Sequence, residues 1–482
     1  MTAPTLRSPD AEGLTRRRRF LVLIICCISM LVVIMDNTIV TVALPTIRDR
    51  LGASVSGLQW TVDAYTLVLA SFLMFAGSSA DRFGRRRVFL IGLASFGVGS
   101  LLCSLAPSIG WLIAARALQA VGGTMLNPVA LSIVANTFPD RVERARAIGV
   151  FGAVSGLALC LGPIVGGALV DGIGWQSIFW INLPIVAVAI VCTLAFVPES
   201  RAPRPRRFDP VGQVLVLAVL ACLVYVLIES PRLGWASPIS LGLVAVVVLG
   251  LVGLLVYEPR RTDPLIELRF FRSVPFCAAL VTAVAAFYGY GSFLYLNTLY
   301  LQNVRDFTAL VTGLCMLPMG ALIVVGAPLA GRVVGARGPR GPMVLAGVAL
   351  AAGGLALTWL SPTTPLVALL GIYVLFGVFM STVNAPITNT AVSGMPMAMS
   401  GVAGSTASAS RQVGVTLGVA VSGSIVAAAM SHGGVAFTSS SHAAWWTLTG
   451  LGVVIVALGL ISTTRRALDS ARRAASLFDG WH

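Results

Sequence analysis

The chain has 482 residues, of which 57% are hydrophobic and 11% charged, and its mean hydropathy is +0.91. That is too little polar material to coat a soluble protein of this size, so the composition points to a membrane protein. All 33 basic residues behind the net charge of +15 are arginine, and without a lysine there is no Walker A loop to draw on ATP.

Spanning helices need about 20 apolar residues each. Runs of that kind are predicted at 20–44, 58–77, 88–106, 111–134, 146–170, 176–197, 211–228, 239–257, 274–299, 309–330, 342–360, 365–390, 401–430 and 443–463, fourteen in all. Arginines in short loops stay on the cytoplasmic side. With Arg16 to Arg19 inside and the sides alternating, 27 arginines fall on cytoplasmic tails and loops. Arg48, Arg50, Arg232 and Arg305 fall outside, and Arg116 and Arg411 within spans. The charge therefore follows membrane orientation, with both termini cytoplasmic. A nucleic-acid partner, which would need the arginines on one face, is not expected. The apolar run after RRRR exceeds the roughly 7 to 15 residues of a signal-peptide core, so it is read as the first span.

That span contains LVVIMDNTIVTVALP (31–45), with Asp36 deep in apolar surroundings. A charge at a bilayer centre costs roughly 2.5 to 3.5 kcal/mol on insertion scales, which makes function the default suspicion. Asp63 in the second span and Arg116 in the fourth each lie about five residues from the outer end, roughly 7 to 8 Å deep at ~1.5 Å per residue. Asp36 lies nine residues before Pro45, roughly 13 to 14 Å deep by the same rise. The depths predict an Asp63–Arg116 pair and leave Asp36 without a permanent counter-ion. A carboxyl in a poorly hydrated site favours its neutral form, so Asp36 is the expected proton carrier. The alternative is that it caps a broken helix through Asn37 and Thr38.

Between spans 2 and 3, GSSADRFGRRR (77–87) places Gly77, Asp81, Arg82, Gly84, Arg85 and Arg86 in one cytoplasmic turn. A plain topology signal has no use for Asp81. The skeleton recurs in GRVVGARGPR (331–340), with Gly331, Gly335, Gly338 and Arg340 at matching offsets, which points to duplicated halves. Between Asp306 and Asp469 there is no Asp or Glu, so the second half holds no carboxylate relay. It does offer Phe287, Tyr288, Tyr290, Phe293 and Tyr295 in span 9, Met316 and Met319 in span 10, and Asn384 and Asn389 in span 12. With Tyr65, Gln119 and Arg411 these are candidates for a cavity that takes bulky lipophilic molecules, against the alternative of ordinary packing. The eight cysteines all fall in predicted spans without metal-type spacing. His432 and His442 are placed in one outer loop, and no metal site or cofactor is expected.

The loop at 77–86 resembles the signature of the major facilitator superfamily. LIAARALQAVGG (112–123), with Arg116, Gln119 and Gly122, is similar to its fourth-span motif. GAVSGLALCLGPIVGGALV (152–170), with Gly156, Gly162, Pro163, Gly166 and Gly167, is similar to its antiporter motif. MDNTIVTVALP, WQSIFWINLP (175–184) and RQVGVTLGVAV (411–421) resemble the fourteen-span drug:proton antiporter branch. The resemblance implies an all-α membrane protein with two six-helix bundles and an inserted helix pair. Its divisions would be a cytoplasmic tail 1–19, a bundle 20–200, the pair 201–260, a bundle 261–464 and a cytoplasmic tail 465–482. It implies a proton-coupled exporter of lipophilic or cationic drugs in the cell membrane, and no enzyme. Its partners would be the substrate, protons and the lipid bilayer. The loop residues would gate between two conformations, and the fifth span would flex at the joint of the halves. An exporter of a native lipid or metabolite stays open, as does oligomeric state. An importing symporter fits the fifth-span motif poorly, and a membrane transferase would need an acidic metal cluster that the chain lacks. The arginine-rich tail RRALDSARRAASLF is expected as an amphipathic helix on the inner leaflet.

Overall fold

The computed structural model describes residues 15–138, 140–201, 208–261, 264–393, 400–427 and 434–476. Residues 1–14 of the N-terminal tail, His432 and the last six residues lie outside them. All regular structure among the described residues is helical. In order the helices are α1 (Arg16–Leu51), α2 (Val55–Phe83), α3 (Arg85–Ser104), α4 (Ile109–Thr137), α5 (Arg141–Gly172), α6 (Ser177–Trp180) and α7 (Asn182–Phe196). There follow α8 (Pro210–Leu233), α9 (Pro238–Tyr257), α10 (Val274–Leu299), α11 (Ala309–Cys315), α12 (Leu317–Arg337) and α13 (Arg340–Leu357). The last four are α14 (Leu366–Val392), α15 (Ser400–Ala427), α16 (Gly434–Ile461) and α17 (Arg465–Ser476).

Helices begin where the sequence supplies caps. Ser54, Ser108, Ser237, Ser273 and Thr308 each accept from the backbone N–H three residues on, satisfying a donor that the first turn leaves unpaired. Gly84 and Gly338 close α2 and α12 at φ +105° and +84°, a region closed to most side chains. The two copies of the loop pattern thus end their helices in the same way.

Thirteen stretches are long and apolar enough to span a membrane. The span expected over 401–430 exists as α15, of 28 residues, but does not reach that hydropathy. Arg411, Gln412 and the small polar residues Ser405, Thr406, Ser408 and Ser410 dilute it. The count of fourteen is therefore not confirmed.

Four further expectations are corrected. The first span does not end at Pro45, and α1 runs through it to Leu51. The spans expected over 176–197 and 309–330 are present, but a one-residue turn interrupts each, dividing them into α6 and α7 and into α11 and α12. In both, a proline (Pro184, Pro318) lies just past the break, where its ring clashes with the carbonyl four residues back. His442 is not in a loop but on α16, its Nε2 3.0 Å from the Leu360 carbonyl. The α17 helix is amphipathic as expected, but Ala467, Ser470, Ala471 and Ala474 are buried and the Ser470 hydroxyl accepts from Val274 N at 2.9 Å. Its small-residue face is spent on the start of α10, so protein covers it.

Helices α1 to α7 pack on one another, as do α10 to α16. The α8–α9 hairpin lies to the side, with α8 against α2 and α15. Gln213 donates to the Ser71 carbonyl, Trp60 Nε1 to Glu229, and Ser424 to the Leu227 carbonyl.

The two halves meet most closely at the end away from the arginine clusters, where α5 lies against α11 and α12. Asp171 at the end of α5 accepts from the N–H groups of Ala309 and Leu310 at 3.2 and 2.8 Å, so one half caps a helix of the other. Gln302 donates to the Val42 carbonyl and Gln59 to the Ala420 carbonyl, each at 2.8 Å, and Thr416 pairs with Thr66 at 2.7 Å. Toward the arginine-rich end, Gly149 and Gly152 on α5 and Gly331 and Gly335 on α12 have open space where a side chain would sit.

Candidate functional site

Asp36 sits on α1, 1% exposed, and is not free. Its carboxylate accepts from Arg116 Nη1 at 2.5 Å, Gln119 Nε2 at 2.8 Å and Asn182 Nδ2 at 2.8 Å. Arg116 and Gln119 stand three residues apart on α4, hence on one helical face, and both reach α1 there. Gln119 Oε1 accepts in turn from Arg116 Nη1 at 2.6 Å, and its amide also donates to Ser100 on α3 at 2.8 Å. Arg116 has no exposure. Its Nε donates to the Thr61 carbonyl at 3.3 Å, and its guanidinium lies 4.1 Å from the centre of the Tyr65 ring. The result is a buried ion pair whose carboxylate oxygens are both satisfied, while Arg116 Nη2 has no partner among the described residues; hydrogen bonds to the remaining groups are what make such a pair tolerable.

The expected Asp63–Arg116 pair is not formed. Depth fixed the height of each side chain but not its direction around the helix. Tyr65 points at Arg116, and two residues on a 3.6-residue helix differ by about 200°, so Asp63 faces away. It is fully buried, and neither carboxylate oxygen has a hydrogen-bond partner among the described residues. The neighbouring Thr66 hydroxyl is engaged with the carbonyls of Val62 and Asp63. Asp36 and Asp63 have thus exchanged the surroundings expected of them. Asn182 and Ser100 were missed, although an Asn two residues before a proline in an apolar run was a visible signal.

The fifth-span motif is packed from two sides. A side chain at Gly162 would overlap Thr38, and one at Gly166 would come within 3.2 Å of the Ile39 backbone, both on α1. Gly167 faces the Ala309 and Leu310 backbone of the other half, the Pro163 carbonyl faces Gly313, and Gly156 faces Ile323. Small residues let backbones approach this closely. Gly167→Val should therefore lower transport at least about tenfold at normal expression, since the cost of overpacking is of order 1 to 3 kcal/mol. Gly172→Val, on the same helix in open space, should be silent. Equal transport by both variants, measured in vesicles, would refute this packing role.

In the loop after α2, Arg85 pairs with Asp81 at 2.9 Å, and Arg82 stacks on Phe208 at 5.1 Å. Arg86 N donates to Glu199 Oε1 at 3.1 Å, and Arg86 Nη2 to the Leu194 carbonyl at 2.6 Å. A side chain at Gly84 would strike Glu199, while Gly77 stands in open space. These contacts stay within α2 to α7 and the linker that follows. Glu199, unmarked in the sequence, is the acid that holds the loop.

Of the cavity candidates, Tyr290 and Met319 are buried at 5% and 1% exposure. Phe287, Tyr288, Asn384 and Arg411 are half-buried and Asn389 is exposed. Among the described residues no group of three or more His, Cys, Asp or Glu could hold a metal ion.

The family model described as the Major Facilitator Superfamily matches residues 26–419. The multidrug resistance protein Stp of Mycobacterium tuberculosis (strain ATCC 25618 / H37Rv) is 38% identical over 400 residues, covering 83% of this chain and 74% of that protein. The tetracenomycin C resistance and export protein of Streptomyces glaucescens is 38% identical over 401 residues, covering 82% and 74%. Among solved structures, the peptide transporter POT superposes with a TM-score of 0.64 at 17% identity, over 94% of this chain and 95% of that one. At that identity the likeness concerns the fold alone.

Proposed function

The chain belongs to the Major Facilitator Superfamily, and from that membership we propose that it exports lipophilic small molecules, drugs or antibiotics among them, across the cell membrane in exchange for protons. Relatives named for multidrug and tetracenomycin C resistance support the export reading. The arginine-rich ends of the helices are the cytoplasmic ones, which puts both termini inside. Close packing of the halves at the opposite end then corresponds to the conformation open to the cytoplasm in an alternating-access cycle. Asp81, Arg82, Arg85 and Arg86 contact their own half, as expected of a gate whose cross-half contacts belong to the other conformation.

One observation carries the proton coupling. Two buried acids share one half of the molecule: one is locked to Arg116, and the other takes no hydrogen bond among the described residues, the neighbouring Thr66 hydroxyl being turned to backbone carbonyls. A carboxylate balanced by a fixed cation keeps its charge through the cycle, whereas an unpartnered one changes charge with its surroundings. Asp63 is therefore the residue that takes up and releases the proton, and Asp36 with Arg116 is the fixed frame beside it. Energised everted vesicles test the proposal. Adding tetracenomycin C or another compound from a drug panel should drive proton release from vesicles that contain the protein and not from empty ones. Uptake of such compounds with no proton movement would refute antiport.

A further inference from the structure

We propose that Arg411 makes the cavity selective for lipophilic molecules that carry an anionic group, such as a carboxylate, sulfonate or phenolate. This rests on the exporter reading and names its substrate class. Arg411 lies eleven residues into α15, roughly 16 Å from its start at ~1.5 Å per residue, and its guanidinium bonds Thr388, four residues before the end of α14, which sets it in the cytoplasmic half of the spans. A cation at that depth is costly and is normally paired. Here it has no paired carboxylate among the described residues, and the chain carries no Asp or Glu between Asp306 and Asp469 that could supply one nearby. Its partners are neutral: Thr388 Oγ1 at 2.6 Å, Ser408 Oγ at 3.3 Å and the Phe287 ring at 5.9 Å. Its Nε is buried without a partner, so part of the planar donor fork that fits a carboxylate is unused.

The surroundings suit such a ligand. Thr388 and Asn384 are four residues apart on α14, hence on one face, and Asn389 beside them is exposed. Phe287 and Tyr288 on α10 are half-buried aromatic surfaces for the lipophilic body. Of the two acids buried within the other half, neither is available to a cation, since Asp36 is tied to Arg116 and Asp63 has no exposure. A cationic compound would meet an unbalanced guanidinium, and an anionic one would neutralise it.

Binding to the purified full chain in nanodiscs tests this, with empty nanodiscs as the control. The probes are 1-anilinonaphthalene-8-sulfonate, its uncharged counterpart N-phenyl-1-naphthylamine, and tetraphenylphosphonium as a cation. The wild type should bind the sulfonate at least about tenfold more tightly than the neutral probe. Arg411→Gln should remove that preference while leaving the neutral probe within about twofold, and Arg411→Lys should keep part of it. The inference is overturned if the wild type shows no preference for the sulfonate, if it prefers the phosphonium, or if Arg411→Gln weakens every probe alike. Binding without regard to charge would sink the inference and leave the exporter reading standing. Binding of no probe at all by the wild type would sink both.

Discussion

Asp63→Asn should leave the protein folded and able to bind its substrate while abolishing uphill efflux and substrate-driven proton release. Asn keeps the size of a neutral carboxyl and cannot ionise. Because neither oxygen of Asp63 takes a hydrogen bond among the described residues, the substitution removes no donor's partner, and its cost in stability should stay within about 1 kcal/mol. The loss should therefore appear in coupling and not in folding. Purified Asp63→Asn protein should melt close to the wild type and bind substrate with similar affinity, yet give no proton release in everted vesicles. Asp63→Glu retains a titratable group and should keep partial activity. Uphill export at the wild-type rate by the Asn variant would show that Asp63 is structural and return the proton to Asp36.

The membrane class, the helix positions and the duplicated loop pattern were legible in the sequence because each rests on local signals. Apolar run length, arginine sidedness and glycine spacing are properties of a single segment. The broken helices were also visible in principle, since Pro184 and Pro318 mark them. The weak hydropathy of α15 was equally on the page, and a smooth alternation of sides concealed it.

The partners of the buried charges were not legible, because partner choice depends on rotation about helix axes as well as depth. Asp63, Asp36 and Arg116 lie on three helices, and only the packing of α4 on α1 decides which acid the guanidinium meets. The Asn182 side chain enters the same site from α7, next to the break before it. Glu199 meets the loop after α2 across 113 residues of sequence. Burial also divides the aromatic candidates in a way composition cannot: Phe293 stacks on Phe376 at 3.9 Å inside the second half, whereas Phe287 and Tyr288 remain partly open.

The ion pair itself makes the second large prediction. Arg116→Met should strand the Asp36 carboxylate with two amide donors, Gln119 and Asn182, and no cation. Removing one partner of a buried pair costs about 3 to 5 kcal/mol. Asp36→Asn leaves Arg116 with Gln119 Oε1, the Thr61 carbonyl and the Tyr65 ring, so its cost should fall below that of Arg116→Met. In the double variant both charges are gone, and Ser100 already accepts from Gln119 and Asn182 at 2.8 and 3.3 Å, which keeps those amides satisfied. The double variant should therefore be more stable than the sum of the singles by about 1 to 3 kcal/mol. The cycle of Arg116→Met with Asp63→Asn should instead be additive, because those residues face different ways. Unfolding of the three single and two double variants beside the wild type reads both cycles. Coupling of Arg116 to Asp63 and not to Asp36 would reverse the assignment, and with it the identity of the acid that is free to carry a proton.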